Sequence, residues 1–181
     1  MSGPGIDARA MAEAIAHMQI RDCLARYCHG IDRCDADMLK SAYWPDAYEE
    51  HGTYDGPAWA FADHITASMR EGLLCSTQMI GNVLIALDDT GDRARVETYV
   101  LALLQQPDGI DRTISGRYLD RFEQRDGQWR ILRRLYVLDW HRDQPRAADD
   151  DTAGIYAMLQ VRGARCPDDP WDANLPDHAG A

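Results

Sequence analysis

Apolar positions in the N-terminal part of the chain recur with a helical period. Ile20, Leu24, Tyr27 and Ile31 follow at intervals of four, three and four, which makes one stripe along a helix over residues 8–29. Gly30 is placed to end that helix as a C-cap. Asp35 stands where the N-cap of a short second helix over 36–43 is needed, and Trp44-Pro45-Asp46 breaks it. Residues 47–56 mix polar and aromatic groups and read as a loop or short strand. Gly56-Pro57 then opens a third helix, with Pro57 in its first turn, carrying Trp59, Phe61, Ile65 and Met69 and ending near Gly72.

After Gly72 the period changes. Four long segments, about 76–87, 93–105, 112–124 and 128–142, read as strands. Asp88-Asp89-Thr90-Gly91, Pro107-Asp108-Gly109 and Asp126-Gly127 separate them as turns, and Arg125-Asp126-Gly127 is the clearest hairpin signal in the chain. Helices first and an antiparallel meander afterwards predict an α+β fold rather than parallel βαβ units. Residues 1–9 read as a flexible N-terminus, 10–145 as one domain, and 146–181 as an acidic, proline-bearing tail. That tail holds Asp149-Asp150-Asp151 and a helical stretch over 155–160, and is expected either to drape over the domain or to be partly disordered.

Composition narrows the function classes. With 181 residues and 45% hydrophobic positions the chain can bury one sizeable core. A formal net charge of −11 argues against nucleic acid and against anionic membranes as partners. No apolar run is long enough to span a bilayer, and Met1 to Ala10 lacks the basic-then-apolar order of a secretory signal. Five cysteines, an odd number without metal-like spacing, read as reduced thiols, so a cytoplasmic location is expected. Phosphate-binding glycine loops, H-E-x-x-H and G-x-S-x-G are absent from the sequence, and no cofactor or metal is expected.

Several local strings occur in a telling order. Arg26-Tyr27-Cys28-His29-Gly30-Ile31-Asp32-Arg33 closes the first helix. Tyr43-Trp44-Pro45-Asp46-Ala47 and Glu50-His51-Gly52 follow, then Gly81-Asn82-Val83-Leu84-Ile85 and Glu97-Thr98-Tyr99. Gly116-Arg117-Tyr118-Leu119-Asp120-Arg121-Phe122 and Asp126-Gly127-Gln128-Trp129-Arg130-Ile131 complete the set. Over roughly residues 10 to 145 the chain resembles the SnoaL-like branch of the nuclear transport factor two superfamily, which includes scytalone dehydratase, hexachlorocyclohexane dehydrochlorinase and bile-acid dehydratase. The resemblance implies a cone-shaped α+β barrel, with three N-terminal helices packed on a curved, mostly antiparallel sheet that encloses a pocket. It also implies a homodimer or homotrimer assembled through the outer sheet face. It is less specific for a reaction, because one fold hosts many activities and some pure binders.

In the eliminating members of that branch, a Tyr and an Asp from the end of the first helix meet a His from the first long strand. Tyr27 and Asp32 match the first two. The His position, four residues before Asn82, holds Gln78, which can exchange hydrogen bonds but cannot take up a proton at neutral pH. His51 is then the candidate base, since histidine titrates in the right range; it reads equally as a loop histidine beside the solvated Glu49 and Glu50. Asp32 either orients a histidine or acts as the base itself, or is an ordinary capping residue. Tyr27 lies on the apolar stripe with a hydroxyl that needs a partner.

Gln78 and Asn82 alternate onto one strand face with Ile80 and are candidates to position an oxygen, or else face solvent. Arg117 is a candidate anion binder if buried, or a partner of Glu97. Trp44, Tyr48, Tyr99 and Trp140 are candidates to line a pocket for a flat ring, or belong to the core. His64 and His178 have no constellation around them. The expected activity is that of a cofactor-independent lyase. It would remove water or a small group such as formaldehyde from a small, hydrophobic, aromatic hydroxylated molecule, a lignin-derived diaryl compound for example. A non-catalytic ligand-binding or assembly protein of the same fold, and an isomerase with an Asp base, are the alternatives.

Overall fold

The computed structural model describes residues 7–146, 154–159 and 161–171. The N-terminal residues 1–6, the Asp149-Asp150-Asp151 run and His178 lie outside the described residues. Helix α1 spans Ala8–Arg33, α2 Ala36–Ser41 and α3 Ala58–Gly72. The strands are β1 Tyr43–His51, β2 Tyr54–Pro57, β3 Cys75–Leu87, β4 Arg93–Gln105, β5 Ile110–Arg125 and β6 Gln128–Pro145. They form one curved, unclosed six-stranded sheet in the order β2-β1-β6-β5-β4-β3, antiparallel except where β1 runs parallel to β6. The three helices pack on its concave face.

Local chemistry accounts for most of the boundaries. Asp7 caps α1 through Arg9 N at 3.0 Å, and Asp35 caps α2 through Met38 N at 2.9 Å. Asp126 and Gly127 both adopt positive φ (50° and 77°) between the paired Arg125 and Gln128, a two-residue hairpin of the primed kind.

Two expectations are corrected. Gly30 does not end α1; the helix continues to Arg33 and closes on Cys34 in the left-handed region, φ 52°. Gly30 serves close packing instead, because a Cβ there would sit 2.7 Å from the Leu39 backbone nitrogen of α2. The segment over 47–56, expected as a loop or short strand, is extended, and its strand already begins ahead of Pro45. Residues 43–51 form a strand, irregular between Tyr43 and Tyr48, that extends the meander by two further strands. The expected helical stretch over 155–160 is a short 3₁₀ turn at Tyr156–Met158.

The concave face carries the core. Ala94, Val96, Thr98 and Val100 of β4 point inward with Tyr118, Asp120 and Phe122 of β5 and Trp129, Ile131 and Arg134 of β6. They meet Ile20, Cys23, Leu24, Tyr27 and Ile31 of α1. One extra residue in β3 between Ile80 and Val83, and two in β6, opposite Ser115/Gly116 and Arg121/Phe122, reverse the inward–outward parity along those two strands.

Candidate functional site

His51 ends β1 two residues after Glu49, so strand alternation puts both on the concave side. The Glu49 side chain is fully buried, and its two carboxylate oxygens have separate partners. The Tyr43 hydroxyl donates to Oε2 at 2.6 Å, and His51 Nδ1 lies 2.9 Å from Oε1. Burial and the neighbouring Glu49 push Tyr43 well above the ordinary phenol range, so it stays a neutral donor. With Nδ1 donating to the carboxylate, His51 turns Nε2 away, and that nitrogen has no hydrogen-bond partner among the described residues. The imidazole is held flat between Tyr136, 4.4 Å away and 7° from parallel, and Phe61, 5.2 Å away and 23° from parallel. The His51 side chain remains 26% exposed within this aromatic slot.

Gly116 shapes that slot. A Cβ there would meet Val137 O at 2.5 Å and the Tyr136 ring at 2.7 Å, so only glycine lets Tyr136 lie across β5 onto His51. Gly116→Ala is expected to cost about 1–3 kcal/mol, the usual penalty of overpacking, and to broaden or shift the His51 ring resonances in NMR. Unchanged resonances and melting temperature would contradict this role for Gly116.

Asp32 lies at the end of α1, 9% exposed. Its carboxylate accepts the backbone N–H of Gln78 on both oxygens, at 3.0 and 2.9 Å, and a hydrogen bond from the Ser76 side chain. Burial raises its pKa from 3.8 to about 6, held back by the Gln78 N–H, Arg33, the Ser76 hydroxyl and Arg165. An acid whose pKa is higher folded than unfolded binds more protons when folded, so its contribution to stability falls as pH rises from about 4 through 6. A shift of that size corresponds to roughly 2–3 kcal/mol. Unfolding midpoints of wild type and Asp32→Asn measured from pH 4 to 7 should therefore move in the variant's favour by that amount; a constant difference would refute the shift.

Beneath the slot, Arg134 is fully buried and makes two 2.7 Å hydrogen bonds to buried Asp120. Its guanidinium stacks over the rings of Tyr27 at 4.0 Å and Tyr118 at 3.9 Å. Tyr27, 1% exposed, also meets Tyr43 and Tyr118 edge-on. Glu49 and the Asp120–Arg134 pair did not stand out in the sequence as site residues. Glu49 had one readable signal, its two-residue spacing from His51 on a strand.

Other candidates are dispersed. Gln78 faces inward beside Asp32, but the bulge at Gly81 and Asn82 turns Asn82 out to solvent, so the two do not share a face. Arg117 points out of the convex side, where it pairs with Asp139 and Glu97, each at 3.1 Å. It is not a buried anion binder. Tyr48 is exposed on the same convex side with Arg133 5.7 Å over its ring, and Tyr99 and Trp140 are about half exposed there rather than lining the interior. Trp44 is buried away from His51, with Nε1 donating to Glu123 O at 2.9 Å and Arg125 and Arg130 over its ring.

Two clefts of about 550 and 500 Å³ run along the arginine-bearing side of the sheet, lined by Arg95, Arg121, Leu84 and Leu119 among others, and neither includes His51 or Asp32. The chemistry of buried, paired acid and imidazole groups lies on the concave side, so size alone does not locate the site. No cluster of three or more His, Cys, Asp or Glu side chains with metal-binding geometry occurs among the described residues, and no helix there is long and apolar enough to cross a membrane.

The family model of the SnoaL-like domain matches residues 12–135. The chain belongs to the SnoaL-like family. Solved structures agree with the fold this implies. A candidate scytalone dehydratase from Novosphingobium aromaticivorans superposes with a TM-score of 0.66 at 18% identity, over 80% of this chain and 99% of the other. A type 2 hexachlorocyclohexane dehydrochlorinase, LinA, gives 0.65 at 20% identity over 77% and 95%. The beta subunit of a candidate aromatic-ring-hydroxylating dioxygenase from N. aromaticivorans gives 0.60 at 22% identity over 71% and 92%. At these identities the likeness is one of fold. No curated protein matches the sequence. Within this SnoaL-like protein the family match runs from the first turns of α1 into the first half of β6 and stops short of residues 154–171.

Proposed function

We propose that this SnoaL-like protein is a cofactor-independent lyase with His51 as its general base. The observation that carries the reading is the Glu49–His51 pair: a fully buried carboxylate on Nδ1, an unpartnered Nε2, and a ring clamped between Phe61 and Tyr136. A carboxylate behind an imidazole sets the tautomer and stabilises the imidazolium once the ring has taken a proton. Nε2 removes a proton from the substrate's carbon or hydroxyl. The electron pair released forms the new double bond as the bond to the leaving group breaks. Asp32, with its pKa near 6, is partly protonated close to neutrality and supplies a proton to a departing hydroxyl, which leaves as water. His51 returns its proton to solvent and Asp32 recovers one, so the cycle closes. Where the substrate carries a hydroxymethyl group, removal of its O–H proton by His51 with C–C cleavage releases formaldehyde, and the resulting carbanion is protonated.

The neighbours named for dehydration and dehydrochlorination support an elimination. The aromatic slot favours a small hydrophobic, aromatic hydroxylated substrate, of which lignin-derived diaryl compounds are an example. An isomerase with Asp32 as base is the second reading, favoured by the raised Asp32 pKa. Exposed Leu84, Met79, Tyr99, Leu119, Leu135 and Trp140 on the convex face favour assembly with further copies of the chain.

The test is incubation of the purified protein with a panel of hydroxylated aromatic compounds, followed by absorbance for a new conjugated chromophore and by mass. Loss of water or formaldehyde supports the lyase, and an isomeric product of unchanged mass supports the Asp32 reading. Ligand binding without any turnover across the panel would leave a binding protein.

A further inference from the structure

Three groups outside the Glu49–His51 pair converge at the end of α1. The Oε1 of Gln78 is buried and has no hydrogen-bond partner. So is the Nη2 of Arg165, a residue that lies thirty positions beyond the end of the family match at 135. The Asp32 carboxylate is the third, bonded to the Gln78 N–H. Arg165 Nη1 donates to the Asp32 backbone carbonyl and, at 3.0 Å, to Ser76 Oγ. Ser76 and Gln78 are alternate residues on the inward side of β3, about 7 Å apart, so the residue that holds Arg165 and the residue with the idle acceptor are neighbours on one face.

Arg165 is held there by its own segment. Cys166 N donates to Arg33 O at 2.8 Å, and Arg70 bridges the carbonyls of Cys34 and Cys166 at 2.9 Å each. Asp169, buried, pairs with Arg33 at 3.3 Å and accepts the N–H groups of Ala164 and Trp171. The side chain is therefore aimed by contacts on both sides of it.

A buried guanidinium N–H without an acceptor and a buried amide oxygen without a donor are each costly, and one ligand edge can answer both. We propose that Arg165 and Gln78 form a substrate-binding pair for a hydroxylated carbonyl or carboxylate compound, Arg165 Nη2 donating to the carbonyl or anionic oxygen and Gln78 Oε1 accepting the hydroxyl hydrogen. This rests on the lyase reading only for what happens to the bound molecule. A purely hydrocarbon or halogenated ligand leaves both groups unanswered and is selected against.

Binding of mandelate, which carries a hydroxyl and a carboxylate on one edge of an aromatic molecule, tests the pair on the full chain by calorimetry or ligand-observed NMR. Phenylacetate, without the hydroxyl, is the control. Wild type should prefer mandelate, Gln78→Leu should lose the preference while still binding phenylacetate, and Arg165→Met should weaken both at least tenfold. Melting temperatures separate lost binding from lost folding, and Arg165→Lys, which keeps a donor, should recover part of the affinity. No mandelate binding by wild type, or wild-type binding by folded Arg165→Met, overturns the proposal. If binding behaves as stated while no panel compound turns over, the lyase reading fails and the binding pair stands.

Discussion

Replacing His51 by alanine is expected to lower kcat for the responsive substrate by about 10² to 10⁴, the range a positioned general base contributes. The ring is partly exposed and sits at the end of β1, so truncation should change the melting temperature far less than it changes kcat. Glu49→Gln should lose activity on a similar scale for a different reason. An amide can offer its N–H to Nδ1, which favours the tautomer with the proton on Nε2 and leaves the base facing the substrate already protonated. Glu49 touches no solvent, so its effect on kcat without direct substrate contact marks it as a positioning residue. Steady-state kinetics on both variants, with circular dichroism to check folding, decide the matter. Wild-type kcat in folded His51→Ala would remove the proposed base.

Asp120→Ala should cost about 3–5 kcal/mol of stability, because it leaves the Arg134 charge buried without its two 2.7 Å partners. For a chain of this size that lowers the melting temperature by roughly 6–20 °C. Arg134→Met alone should be comparably harmful, since it strands the Asp120 carboxylate and withdraws the cation from between Tyr27 and Tyr118. Replacing both, Asp120→Leu with Arg134→Met, removes two desolvated charges together and should recover most of the loss. Thermal unfolding of the three variants measures the coupling. If the double variant is as unstable as the sum of the singles, the pair acts through packing rather than through compensated charge.

Much of the fold was legible because its signals are local. The stripe of Ile20, Leu24, Tyr27 and Ile31, the caps at Asp35 and Pro57, and the Asp126-Gly127 turn each depend on neighbours a few residues away, and each element begins where those residues put it. Tyr27, Asp32 and His51 were legible as residue types with suitable chemistry. Glu49 was missed because Pro45 obscured the strand that places it beneath His51. On a loop it would be a solvated acid; on the concave side of a strand it is a buried partner. Arg117, Tyr48, Tyr99 and Trp140 were misplaced for a related reason. Side-chain direction alternates residue by residue, so strand parity alone sends Arg117 and Tyr99 outward, and irregularities in β1 and β6 reset the face before Tyr48 and Trp140.

The sequence by itself determined the elements, their order, the family and the supply of ionisable groups, because short-range periodicity and turn chemistry need no distant partner. Tertiary structure alone decided which groups meet: Glu49 with His51, Asp120 with Arg134, and Arg165 with Asp32 and Ser76. Those meetings depend on strand register and on the return of the C-terminal segment to α1. Register and chain return are set by burial of the whole core, and no local stretch of residues encodes them.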